Sequence, residues 1–444
     1  RARIRAGADA DGNLTAWISE SWGTGGLPGT GTTPLPYVFE PPSRRLAHVS
    51  VPTNFAGSRA WRAPNHPQAA FLSMSVYEDL AAALEMDPLV FFRKNLGLVR
   101  EELAPVYDEE LGIADELMGW SERWRPRGSE TGTVRRGLGL SMHQWGGRGH
   151  RSNCEVKVHP DGAVEVFMGT QDLGTGTRTV VGMVLAETFG LRLEDVRVHI
   201  GDSRHPQSGP SGGSSTVGGV SSSTRRAAQD ALREVFAKVA PELGVEPDAL
   251  AARRGRVFVA AEPGRGMTWK QAASRIGVAP ISVSGRNPGP GRLTDGGVGG
   301  VQMAAVAVDV ETGVVKVERL VAVQDVGLVV NRKLAESQMF GALIMGVSSA
   351  LYEERIVDPV SGRLLNPNME FYKLAGIGDV GEFRVHLMSG PGYDDCGVIG
   401  IGEPPVISPV AAIGNAIANA IGVRVPSAPF TPDRVLGALE GGAA

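Results

Sequence analysis

The stretch Gly397-Val398-Ile399-Gly400-Ile401-Gly402-Glu403-Pro404-Pro405 sets one carboxylate between spaced glycines and two prolines, just ahead of an apolar helical segment near the C-terminus. Glycines let a backbone come close to a bulky ligand, and prolines fix the turn, so the pattern presents a single acid rigidly at a pocket. Three upstream segments share this layout of an irregular loop opening a helix. They are Trp61-Arg62-Ala63-Pro64-Asn65-His66-Pro67-Gln68, Gly169-Thr170-Gln171-Asp172-Leu173-Gly174-Thr175-Gly176-Thr177 and Gly212-Gly213-Ser214-Ser215-Thr216-Val217-Gly218-Gly219. Helix N-termini carry free N–H groups and positive partial charge, and so attract anions; Ser and Thr hydroxyls add donors and acceptors. Four such loops in one chain point to a large polar non-protein ligand held by several of them at once. Taken one at a time, capping is the alternative: Thr177 and Ser223 are ordinary cap residues, and Glu403 is equally placed to cap the helix that follows it.

Composition narrows the classes. The chain has 444 residues and a formal net charge of -4, enough length for two or more domains and no basic footprint for nucleic acid. Its 60 glycines are about twice the usual share and show no triplet period, which excludes collagen. Cys154 and Cys396 are the only cysteines, so neither a disulfide framework nor a cysteine-ligated iron–sulfur cluster held by this chain alone is available. No continuous apolar run approaches the ~18 residues of a membrane span. The opening Arg3-Ile4-Arg5-Ala6-Gly7-Ala8, followed by Asp11-Gly12, reads as a strand and turn already in progress, which suggests that the natural N-terminus lies elsewhere or on a separate polypeptide.

The pattern along the chain is α+β, or mixed α/β, with much loop. Strands and Gly/Pro turns alternate over residues 1–60, with a flexible loop from Gly23 to Thr33. A helix is expected from Pro67 to about Met86, and a second after Asp87-Pro88, an N-cap with proline in the first turn. The charged, irregular residues 121–135 read as a linker between a unit at 1–120 and a unit at 136–444, whose 390–444 part carries the Glu403 loop. Hairpins are expected at Asn153–His159 with Val164–Met168 and at Val301–Val310 with Val314–Asp325, and a strand at Val196–Ile200. Helices are expected at Arg178–Phe189, Thr224–Val239, Lys333–Leu351 and Pro409–Ile421.

Several motif matches lack their structural context. Gly376-Ile377-Gly378-Asp379-Val380-Gly381 fits a dinucleotide fingerprint, but the strand-like Phe383–Leu387 follows it where a helix is required. Gly209-Pro210-Ser211-Gly212-Gly213 fits a nucleophile elbow, yet loop separates it from the strand ending near Ile200 and more loop follows. No Walker A sequence occurs, and the eight histidines are scattered without a zinc-ligand spacing.

Together, Trp61-Arg62-Ala63-Pro64 through Leu80, Asp87 through Asn95, Gly169 through Gly176, the Ser214–Gly219 loop, Gln324-Asp325-Val326-Gly327, Gln338 through Tyr352 and Gly400-Ile401-Gly402-Glu403-Pro404-Pro405 resemble, in order, the molybdenum-cofactor-binding subunit of the xanthine dehydrogenase/aldehyde oxidase family. The flavour of the match is the bacterial multi-subunit aldehyde-oxidising type. The resemblance implies two cofactor-binding domains of twisted sheets with packed helices in an elongated arrangement. It also implies a molybdopterin, often the cytosine dinucleotide form in bacteria, whose dithiolene holds the metal without protein ligands. The implied reaction is oxidative hydroxylation of an aldehyde or N-heterocycle with water as oxygen source, and Glu403 is its general base. Arg62, Leu173, Gly174, Thr175, Gly176, Ser214, Ser215, Thr216, Gly218, Gln338 and Gly402 match positions that touch the cofactor, and Pro64, Trp145 and Gly146 match the substrate pocket. On the residues alone, Arg62 also suits a structural ion pair, Gln338 a surface amide and Trp145 the core.

The family's earlier portion, with its own glycine-rich loop, has no counterpart here, and Pro64 stands where purine-oxidising relatives carry a stacking aromatic. The resemblance therefore implies either a sister chain supplying the missing half or a chain that is itself a fragment, together with an apolar exposed face toward that half and iron–sulfur ([2Fe–2S]) and FAD subunits to take the electrons. The expected compartment is the cytoplasm, with the periplasm reachable on a partner's signal. A degenerate, non-catalytic cofactor-binding subunit is the alternative.

Overall fold

The structure is a computed structural model that describes residues 1–25, 33–147, 149–287, 298–394 and 397–441. Strands β1 (Ala2–Ala8) and β2 (Leu14–Thr24) form a hairpin, and β3 (Ser43–Val51) lies parallel to β2 at the sheet edge. Gly23 and Thr24, expected in a loop, complete β2 by pairing with Ser50 and Val51, while residues 26–32 of that loop lie outside the described residues. Helix α1 (His66–Ala83) buries Ala69, Ala70, Ser73, Met74, Tyr77 and Ala81, one face at helical spacing. Asp87 accepts from Leu89 N at 2.8 Å and opens α2 (Pro88–Lys94), as its sequence indicates. Helices α3 (Ala104–Met118) and α4 (Trp120–Arg123) follow, with Gly119 turning between them at φ 67°.

Strand β4 (Val134–Trp145) begins the rest of the chain. Next come the hairpin β5 (Ser152–Val158) and β6 (Val164–Met168), helix α5 (Thr177–Phe189), strand β7 (Val196–Ile200) and the long helix α6 (Thr216–Leu243). A small sheet of β8 (Leu250–Arg253), β9 (Arg256–Val259) and β10 (Glu262–Thr268) precedes the short α7 (Trp269–Ala273) and β11 (Ile281–Asn287). The chain ends through β12 (Val298–Asp309), β13 (Val315–Gln324), α8 (Arg332–Leu351), β14 (Glu382–Leu387), α9 (Pro409–Ile421) and α10 (Pro432–Gly441). The larger strands form two four-stranded sheets, β11-β5-β6-β7 and β14-β13-β12-β4, each antiparallel except for its last-joined parallel strand, β7 or β14.

Helix α6 starts eight positions before the expected Thr224, so Thr216 to Gly219 are helical rather than loop. The glycines that argued for loop serve packing instead. A Cβ on Gly218 would sit 2.8 Å from Val398 O, and one on Gly219 would sit 2.5 Å from His150 O. Tertiary contact has overridden propensity here.

Helix α9 is set into β4 in the same way. A Cβ on Gly139 would lie 2.2 Å from Ala416 N and one on Gly137 2.2 Å from Ala416 O, so the helix rests directly on the strand backbone. This seat fixes the Pro404–Val406 turn that precedes α9 and therefore the position of Glu403. The first and second parts of the chain share a core. Trp17, Phe39, Met74 and Tyr77 pack in one cluster with Leu140, Met142, Val301 and Met303, and the buried Glu78 accepts from Leu140 N at 2.8 Å. A second cluster lies under α5 and α6 and a third under α8 and α9.

The segments Arg332–Leu351 and Pro404–Ile421 have the length and mean hydropathy of a membrane span, although neither is a continuous apolar run; the second is 94% buried within the protein, as a core helix is. Large apolar side chains stand in water along 360–377, with Val360, Met369, Phe371 and Ile377 all more than two-thirds exposed.

Candidate functional site

Three of the four helix-opening loops meet at Glu403. The backbone N–H of Ala63 donates to Glu403 Oε1 at 3.2 Å, and Ser214 Oγ donates to Oε2 at 3.4 Å. The same Ser214 Oγ accepts from the Glu403 backbone N at 2.9 Å. Ser214 achieves this in the left-handed region, at φ 58°, a conformation that a side-chain-bearing residue holds only when its surroundings demand it. Gly400 is the counterpart: a Cβ there would fall 1.9 Å from Ser214 O, so the two loops are in backbone contact. Glu403 does not cap the turn it opens; its carboxylate is spent across the loops.

Arg62 braces the arrangement from behind. Its Nε donates to Gly402 O and its Nη2 to Gln338 O at 3.0 Å. Burial lowers its pKa to about 10, opposed by the negative charge of Glu403, so the guanidinium stays cationic at neutral pH. A buried acid pair fixes the backbone just ahead of Val326. Asp325 Oδ1 accepts from Gly327 N at 3.0 Å, and Asp325 N donates to Glu110 Oε1 at 3.0 Å. Burial, reinforced by Asp325, pushes the Glu110 carboxyl well above the usual range.

These elements enclose a cavity of about 280 Å³. Of the residues singled out from sequence, Leu173, Thr175, Ser214, Thr216, Gln338, Gly402 and Glu403 line it; Arg62, Gly174, Gly176, Ser215 and Gly218 do not. Trp145 and Gly146 instead line a second, open cup of about 270 Å³ together with His66 and Gly213, and Pro64 lines neither. Sequence reasoning missed the apolar strap Val326, Leu328, Val329 and Val330, and also Asn331, all on the cavity wall. Asn331 carried a signal, since its side chain caps α8 by accepting from Leu334 N at 3.0 Å. Asp172 was passed over as well. Its carboxylate accepts from Gly174 N, Gly176 N and Arg178 N at 3.0–3.1 Å and shapes the whole 173–176 loop. The N–H groups at that helix opening are thus already answered by a protein carboxylate, whereas α6 starts with no side-chain cap.

The donor set suits an organic, anionic cofactor better than a bare ion. Thr175, Thr177, Ser211, Ser214, Thr216, Asn331, Gln338 and Glu403 line a cavity otherwise built of aliphatic side chains and glycines. Open space stands where Cβ atoms would project from Gly174, Gly212 and Gly213. Among the described residues no cluster of His, Cys, Asp or Glu could ligate a metal. A molybdenum held by its own pterin dithiolene is compatible with such a site.

Comparison with known proteins agrees with this chemistry. The profile of a molybdopterin cofactor-binding domain matches residues 113–381, and a second profile of the same description matches residues 1–96. The chain is 30% identical to the aldehyde oxidoreductase molybdenum-binding subunit of Escherichia coli O157:H7, covering 98% of this chain and 60% of that subunit. It is 26% identical to the xanthine dehydrogenase molybdenum-binding subunit of the same organism, covering 96% of this chain and 59% of that one. The chain thus spans about 60% of the length of these curated relatives. Its fold matches that of quinoline 2-oxidoreductase from Pseudomonas putida 86 with a TM-score of 0.85 at 21% identity, over 99% of this chain and 62% of that one.

Proposed function

The chain belongs to the molybdopterin cofactor-binding family, and on that premise we propose that it is the base-bearing part of a molybdenum hydroxylase large subunit, which oxidatively hydroxylates an aldehyde or N-heterocycle with water as the oxygen source. The observation that carries the reading is the joint hold on Glu403 by Ala63 N and Ser214 Oγ at the edge of the hydroxyl-lined cavity.

When bound, the cofactor supplies two-electron oxidation. Leu173, Thr175, Thr216 and Gln338 would hold it across the cavity, and Val326, Leu328, Val329 and Val330 would exclude water on its apolar side. Each Glu403 oxygen accepts one fixed hydrogen bond and keeps a further lone pair for a proton arriving from the cavity. The carboxylate is therefore aimed before the reaction begins, which is the geometric requirement on a general base. Arg62 keeps the Gly402 carbonyl, and with it the loop, at fixed distance from α8.

The exposed apolar side chains at 360–377 support a heteromeric assembly, in which iron–sulfur and FAD subunits receive the electrons. We assign residues 1–120 to the end of a first cofactor-binding domain and residues 136–444 to a second. The test is Glu403→Gln in the purified complex. Turnover is expected to fall by at least about 10²-fold while molybdenum content stays at the wild-type level. Wild-type turnover in this variant would end the reading.

A further inference from the structure

The open cup beside Glu403 has one polar group whose state can be worked out from its neighbours. Tyr37 is buried, and its hydroxyl donates to Gln144 O at 2.5 Å while accepting from Gln144 N at 3.2 Å. His66 Nδ1 lies 2.9 Å from the same hydroxyl oxygen. A carbonyl can only accept, so the single phenolic proton is committed to Gln144, and His66 Nδ1 must bring the hydrogen to Tyr37. In the neutral imidazole Nε2 then carries a lone pair and no proton. Burial holds the His66 pKa below its ordinary value, which keeps the ring neutral at physiological pH. The ring's hydrogen bond to Tyr37 is made through Nδ1 and not through Nε2.

The rest of the cup is shaped for a flat ring. The Trp145 indole meets His66 edge-on, with centroids 4.6 Å apart and planes at 64°. Its Nε1 donates to Gly213 O at 3.2 Å, which fixes the ring. Gly146 and Gly213 leave open space where side chains would otherwise stand. The cup is also joined to the acid. Gly213 directly precedes Ser214, and His66 follows Ala63 in the same loop; Ser214 and Ala63 are the two donors to the Glu403 carboxylate.

We infer that His66 Nε2 selects, among substrates whose ring enters this cup, for one that carries an N–H or O–H donor. This deepens the reading of Glu403 as the base and rests on it. The Trp145 face supplies the ring contact, and His66 discriminates between rings of the same shape by whether they can answer its lone pair.

The test compares 4-hydroxybenzaldehyde with 4-methoxybenzaldehyde as substrates of the purified complex, and phenol with anisole as non-reacting ligands followed by equilibrium binding. One neutral hydrogen bond at a half-exposed site predicts that the hydroxyl member of each pair is favoured by about fivefold to tenfold, carried in KM and Kd rather than in kcat. In His66→Phe, which keeps a flat ring without the acceptor, both ratios are expected to collapse to about one. His66→Gln, whose side chain can place an oxygen near the Nε2 position, is expected to keep part of the preference. Ratios unchanged in His66→Phe, or no preference in the wild-type complex, would overturn the inference. The phenol and anisole arm needs no turnover. If Glu403→Gln retained full activity while the wild-type binding preference was present and lost in His66→Phe, the base would be wrong and the cup right.

Discussion

Replacing Gly400 by Ala tests whether contact between the Glu403 and Ser214 loops is what aims the acid. The added methyl would fall 1.9 Å from Ser214 O and 2.7 Å from Ser214 C, both backbone atoms with no rotamer to yield. Ordinary carbon contacts lie near 3.5 Å, so the loops must part by roughly 1.5 Å. The movement breaks the bond from Glu403 N to Ser214 Oγ, now 2.9 Å, and the weaker one from Oγ to Oε2, now 3.4 Å. Overpacking of this kind costs about 1–3 kcal/mol of stability. A 1 Å displacement of a catalytic group costs about 10²-fold in rate. The expected variant is therefore folded, melts a few degrees lower and turns over about 10²-fold more slowly, with the loss in kcat. Melting by differential scanning calorimetry, molybdenum content and steady-state kinetics on the purified complex read these three quantities. Gly402→Ala is the stability control, because its methyl would meet only Ser214 Oγ at 3.7 Å, and its melting temperature should not fall. Gly400→Ala with wild-type melting and wild-type kcat would refute the argument that backbone contact positions Glu403.

Asp172→Ala removes the acceptor shared by three backbone N–H groups, so it should lower stability by about 1–2 kcal/mol and reduce the molybdenum content of the purified complex; unchanged content would show that the 173–176 loop does not depend on Asp172. Glu78 is fully buried on α1, and burial raises its carboxyl to about 7 against an ordinary 4.5. The folded state therefore binds this proton more tightly than the unfolded state, and the group's contribution to stability declines as pH rises from about 4.5 to about 7 and is level above that, by up to about 3 kcal/mol. Glu78→Gln keeps an acceptor for Leu140 N without the titration, so its stability should fall less over that pH window; a slope as steep as the wild type would locate the titration elsewhere.

Elements were legible where local signals agreed. Val196–Ile200 and Pro409–Ile421 fold over the residues that their patterning indicates, the second opened by proline and closed at Gly422. Helix α6 was short by two turns because Gly218 and Gly219 carry a local message for loop, and only the backbone of residues 149–150 and Val398 pressing on them explains why they are there. The presence of an acid at 403 was legible from its glycine and proline neighbours. Its partners were not: Ala63 N and Ser214 Oγ are bound by proximity that no local window contains. The buried Glu110–Asp325 contact is of the same kind, joining α3 to the residue that follows β13.

The acid and its two donors are separated by 340 and 189 positions along the chain. During synthesis the Ala63 and Ser214 loops leave the ribosome well before residue 403 does, so the nascent polypeptide first holds a vestibule with no base. Premature insertion of the cofactor would trap it in an unfinished chamber, so maturation is expected to follow the emergence of residue 403. Ribosome-stalled chains ending before residue 397 should accordingly leave the 212–215 segment open to protease, and protection should appear only once α9 has emerged.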